Sequence, residues 1–169
     1  HFQYDPYMLQ VVECLKYSPL VIVLTKVEFF WMSLLSQVYS TMSYDKAKER
    51  IFFEIFNQKT SISKVRFCSL LRLILNDSMI NPDSITTTQV FTMFYDMEYT
   101  EVLTFVTKFK KSCLPLQWNG LFTLLFKGLS ERVAGSDGGS KAFITLIYGL
   151  YYGVNMDYGS LLWTQLVQS

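Results

Sequence analysis

Histidine is nearly absent: among 169 residues the only one is His1. This removes Ser-His-Asp and Cys-His catalysis, which need an imidazole to move the nucleophile's proton. It also removes the common zinc sets that draw on Cys and His together. Cysteine is scarce. Cys14, Cys68 and Cys113 are odd in number, widely spaced and without a Cys-x-x-Cys pair, which excludes a disulfide framework. Three reduced cysteines in a core are expected.

Charge is thin as well. Charged residues make up 17% of the chain, with 15 basic against 14 acidic and a net charge of +1, below a typical charged share of about 25%. A near-neutral chain lacks the basic footprint of a nucleic-acid-binding domain. No stretch approaches the ~20 apolar residues of a membrane helix. The nearest are 29–44, interrupted by five Ser/Thr residues and Gln37, and 142–156, which holds two glycines and Asn155. No membrane partner is expected. Asn76-Asp77-Ser78 fits a glycosylation acceptor, a pattern common by chance and discounted without a signal peptide. There is no Pro/Gly/Ser linker, repeat or low-complexity run. Residues 1–169 are therefore expected to be a single helical domain. Its start at His1 suggests a fragment of a longer reading frame.

What the chain does have is apolar material: 50% hydrophobic and 17% aromatic residues. That suffices for a core at this length. It also predicts that part of the surface is covered by another copy or by the rest of a longer polypeptide.

Periodicity places most elements. Pro6 suits the first turn of a helix through Met8, Leu9, Val11, Val12 and Leu15, and Ser18-Pro19 should stop it. Residues 20–24 are too short to assign, and 33–42 read as helix. A polar turn opens at Tyr44-Asp45. The β-branched and aromatic run 50–56 reads as a strand, with a turn at Asn57-Gln58-Lys59 and a return over 60–62. Ser63 should cap an amphipathic helix through Val65, Phe67, Cys68, Leu70, Leu71, Ile74 and Leu75. Thr86 with Gln89 forms a capping box for the next helix. A long helix should follow Pro115 and break at Gly135–139. Ser140 should cap the next, 141–152, which is apolar nearly all round and therefore central. Gly153 should end it, and 158–167 closes the chain. The expected fold is mostly α: a single-domain bundle of about seven helices with one small β-hairpin near residues 50–62. Phe122, Phe126, Phe143 and Trp163 are the expected core.

Chemistry is harder to find. Gly135-Ser136-Asp137-Gly138-Gly139-Ser140-Lys141 tempts as a phosphate loop, but Ala142 follows Lys141 where the G-x-x-x-x-G-K-S/T pattern needs a hydroxyl, and no strand precedes it. Carboxylates that could hold magnesium or move protons are Asp77 with Asp83, or Asp96 with Glu98 and Glu101; solvated residues and caps are the simpler account. Lys108, Lys110 and Lys111 flank Phe109 and lie near Trp118, a weak form of a single-strand platform. No catalytic, cofactor-binding or metal-binding residue is assigned, no small-molecule substrate is evident, and no cofactor is expected.

Several stretches resemble a protein type encoded by LTR retrotransposons of plants, notably the daisy family, in the gag-like region upstream of the polymerase. They are Met32-Ser33-Leu34-Leu35-Ser36-Gln37-Val38-Tyr39-Ser40, Ile51-Phe52-Phe53-Glu54-Ile55-Phe56-Asn57-Gln58-Lys59-Thr60-Ser61-Ile62-Ser63-Lys64, and Asn81-Pro82-Asp83-Ser84-Ile85-Thr86. Later come Trp118-Asn119-Gly120-Leu121-Phe122 with Ser130-Glu131-Arg132-Val133-Ala134-Gly135-Ser136-Asp137, and Tyr148-Gly149-Leu150-Tyr151-Tyr152-Gly153 with Asp157-Tyr158-Gly159. The resemblance covers most of residues 12–169. It implies a non-enzymatic, intracellular element protein, cytoplasmic or nuclear, with a structural role and self-association. Element RNA would be bound through regions outside this chain, which lacks the Cys-x-x-Cys-His-Cys knuckle. The competing expectations are a magnesium-dependent enzyme fragment using Asp77, Asp83 and Asp96, and a decayed reading frame without function.

Overall fold

A computed structural model describes residues 6–21, 32–73, 79–129 and 140–168. These hold seven α-helices: α1 (Pro6–Lys16), α2 (Met32–Thr41), α3 (Lys64–Leu70), α4 (Thr87–Asp96), α5 (Leu116–Leu129), α6 (Lys141–Tyr152) and α7 (Tyr158–Gln168). One antiparallel sheet accompanies them, in the order β1 (Ser43–Asp45), β2 (Arg50–Ile55), β3 (Gln58–Ser63). The mostly helical fold with a small β unit agrees with the sequence expectation. The breaker segment 135–139 and Ile74–Asp77 lie outside the described residues.

The β unit differs from the expected hairpin in two respects. It has a third strand: Tyr44-Asp45, read as a turn, pairs with Ile51 and Arg50. Three residues are too few to show a period, and the pairing is decided by partners elsewhere in the chain. Tyr44 also sets its ring edge against Trp163, at 6.0 Å between centroids. The turn, moreover, is Phe56-Asn57 rather than 57–59, because Ile55 and Gln58 are already paired. Both turn residues have positive φ, 51° and 61°, as a two-residue type I′ connection requires. Asn tolerates this conformation, whereas Phe does not advertise it.

The helix predicted through Leu75 stops at Leu70. The Leu73 N–H reaches the Cys68 carbonyl (2.9 Å) and the Arg72 N–H reaches that of Ser69 (3.1 Å), with Arg72 at φ 58°. This is a Schellman ending, normally marked by glycine; here arginine hides it. Helix α4 ends the same way, with Glu98 at φ 60° and Tyr99 bonded back to Phe94. At α6 glycine does signal the ending, through Gly153 at φ 62°. The N-terminal signals hold: Ser63, Thr86 and Ser140 each cap their helix, and Thr86 and Gln89 form the full capping box.

Helix α6 is the centre. Phe143, Ile144, Thr145, Leu146, Ile147, Gly149 and Leu150 are buried on nearly every side of it, and it contacts α1, α4 and α7. Phe94, Phe109, Phe122 and Phe143 form a run of neighbouring rings at 5.2–6.3 Å. Of the expected core residues, Phe122, Phe143 and Trp163 are buried; Phe126 is half-buried and stacks on Phe143 at 3.9 Å. Each full burial of such a ring contributes roughly 1.5–3 kcal/mol. Two close approaches need glycine. A Cβ on Gly149 would sit 2.6 Å from the Tyr158 hydroxyl, and one on Gly159 would sit 2.7 Å from the Cys68 sulfur.

Candidate functional site

A polar concavity of about 680 Å³ opens where the N-terminal ends of α3, α6 and α7 meet the 3-10 turn Pro82–Ser84. Its charged lining is Lys64, Asp83, Lys141 and Asp157, and Ser140, Ser160 and Thr164 supply hydroxyls. A backbone bond from Ile80 N–H to the Asn155 carbonyl (2.8 Å) pins the turn to the α6–α7 connection.

The helix ends here are already satisfied. Ser140 Oγ accepts from Phe143 N–H (3.2 Å) and donates to Gln165 Oε1 (2.8 Å). Asp157 accepts from the Ser160 backbone N–H (2.8 Å) and from the Ser160 hydroxyl. These side chains therefore act as caps. Lys64 lies 3.4 Å from Glu49. The cleft offers polar groups of both signs, and the described residues contain no group of three His, Cys, Asp or Glu placed to hold a metal ion. Burial, the largest cause, raises the pKa values of Cys14 and Cys68, which keeps them as thiols and poor nucleophiles.

Among the described residues, the carboxylates singled out in the sequence form no group of three that could hold a metal ion. Asp83 lines the cleft, while Asp77 lies outside the described residues. Asp96 is not part of the lining; it accepts a 2.6 Å bond from the Tyr152 hydroxyl. Glu98 holds the αL position after α4. Glu101 takes Lys110 Nζ on both oxygens, at 3.2 and 3.1 Å, and that bond lowers its pKa. The end of the glycine-rich segment, Ser140-Lys141, does reach the same cleft as Asp83. Lys64 and Asp157 were not singled out by sequence. Asp157 could have been, as an N-cap residue directly before the apolar run of the last helix.

The basic turn is likewise dispersed. Phe109 and Trp118 are in the core, so neither ring can stack on a base. Lys110 is paired with Glu101, and Lys108 and Lys111 lie over the rings of Phe105 and Phe126 at 5.1 and 5.7 Å.

No helix among the described residues is long and apolar enough to cross a membrane. No protein-family model matches the chain, and neither does any curated protein or solved structure.

Proposed function

We propose that this chain is a non-enzymatic, gag-like structural domain of a plant LTR retrotransposon that works by self-association. The observation that carries this reading is the apolar surface. Val102 is 93% exposed, Leu116 87%, Tyr95 82%, Val65 78% and Tyr17 77%. These join a low-charge chain whose stretches resemble gag-like element proteins. Single exposed apolar side chains are ordinary; so many large ones on a chain this poor in charge favour burial against other copies. The alternative, magnesium chemistry on Asp77, Asp83 and Asp96, finds less support, because Asp83 and Asp96 have separate surroundings.

The test is light scattering on the purified chain behind a sizing column at low and high salt. A defined oligomer or larger particle that persists at high salt is expected, since apolar contacts survive ionic screening. A monomer across the micromolar range would refute the assembly role.

A further inference from the structure

The three-stranded sheet treats its two edges differently. On the outer side of β2, β1 covers Arg50–Phe52, and α2 covers what remains. Thr41 Oγ1 accepts from Glu54 N–H at 2.9 Å, and Gln37 Oε1 accepts from Phe56 N–H at 2.9 Å. Side chains of a helix thus finish the work of a short strand.

Among the described residues, the other edge, β3, is left open. The pairing Ile55↔Gln58 closes a two-residue turn, so Gln58, Thr60 and Ile62 turn their backbone groups toward β2. The bond from Lys64 N–H to the Glu49 carbonyl (3.0 Å) continues the same alternation. Lys59 and Ser61 therefore aim N–H and C=O outward, and among the described residues these groups meet no partner. The strand carries no proline and one charge, Lys59, so it lacks most of the devices that blunt an open edge.

We propose that β3 pairs antiparallel with β3 of a second copy about a twofold axis at Ser61, joining two sheets into one of six strands. This names the contact through which the proposed self-association acts and rests on that reading. The edge is self-complementary in this register, as an isologous contact must be. Ser61 faces Ser61 of the second copy with both outward backbone groups exchanged. Lys59 then faces Ser63, Thr60 faces Ile62, and Gln58 faces Lys64. No like charges stand opposite one another, and the Thr60–Ile62 pairs set β-branched side chains side by side. The Ser61 hydroxyl stays bound to Arg50 Nη1 at 2.8 Å within its own sheet, so pairing requires no rearrangement there.

The test measures the dimer dissociation constant by analytical ultracentrifugation for the wild type, Ser61→Lys, Ser61→Glu and their equimolar mixture. Circular dichroism checks that each is folded. Each charged variant alone should bind itself about 5-fold more weakly, because like charges meet at the axis, and the mixture should recover wild-type affinity. Ser61→Pro, which removes the outward N–H and no backbone bond to β2, should abolish the dimer, and Ser61→Ala, which loses only the hydroxyl's bond from Arg50, should keep it. If the wild type associates and all variants associate equally well, the edge pairing is wrong and the assembly reading stands. If charged variants weaken but their mixture does not recover, the Ser61 register is wrong. If the wild type is a monomer, both fall.

Discussion

Replacing glycine by alanine inside a helix should have opposite effects at two places in this protein. Gly120 lies in α5, where an added Cβ meets nothing within 4 Å among the described residues beyond its chain neighbours and its own helix backbone. There the alanine contributes only its better helix propensity and its less flexible unfolded state, about 0.4–1 kcal/mol of stabilisation. Gly149 lies in α6, where the added Cβ would meet the Tyr158 hydroxyl at 2.6 Å and Met156 Sδ and Cε at 3.1 Å. Tyr158 cannot easily retreat: its ring is buried and its hydroxyl donates to the Val154 carbonyl at 3.0 Å. Overpacking costs about 1–3 kcal/mol, and displacing the hydroxyl puts about 1 kcal/mol of hydrogen bond at risk. Against these stands the same propensity gain of about 1 kcal/mol. The net expectation for Gly149→Ala is a loss of about 1–3 kcal/mol. Urea unfolding and thermal melts would read both variants, with about 2–4 °C per kcal/mol at this size. Adding Tyr158→Phe should make Gly149→Ala milder than in the wild-type background, because the nearest atom is gone. A Gly149→Ala protein as stable as the wild type would refute the packing argument, and equal effects at both glycines would refute the contrast.

The remaining predictions concern caps, turns and tyrosines. Thr86→Ala should lose about 1 kcal/mol in chemical unfolding, since it removes one half of the α4 capping box; an unchanged midpoint would contradict it. Glu98→Gly should stabilise by a few tenths to about 1 kcal/mol, because Glu98 holds φ 60° at a position that glycine occupies without strain; a destabilised variant would show that its side chain matters more than its backbone. Tyr152→Phe removes the 2.6 Å bond to Asp96 that ties α6 to α4 and should lose about 0.5–1.5 kcal/mol, with Asp96→Asn affecting the same contact. Burial is the largest cause raising the pKa values of Tyr152 and Tyr158 above the ordinary 10. Above pH 10 the unfolded chain therefore loses protons that the folded chain keeps, so stability present below that pH declines as pH rises further. Phenolate absorbance and helical circular dichroism followed together should show the two tyrosines ionising with unfolding; ionisation at pH 10 in a fully folded protein would contradict it.

How far the sequence could be read depends on how local each signal is. Ser63, Thr86 and Ser140 announce helix starts, because a cap is a bond between residues three apart. The all-round apolar pattern of α6 marks the central helix, since no face of it can be left in water. The short strand β1 was not legible, because its order comes from Arg50–Phe52 across a turn. The early end of α3 and the true hairpin turn were hidden because Arg72 and Phe56 take backbone positions that glycine usually signals.

By itself, the sequence decided which residues are too apolar to remain in water, and which segments carry helical or strand periods. Those are properties of chain and solvent alone. It also supplied a single histidine, His1. Tertiary structure decided the rest. It sent Phe109 and Trp118 into the core, gave Asp96 and Asp83 different surroundings, and closed one sheet edge with α2 while leaving β3 unpaired among the described residues. Each of these outcomes depends on distances between residues far apart in the chain, which no local pattern encodes.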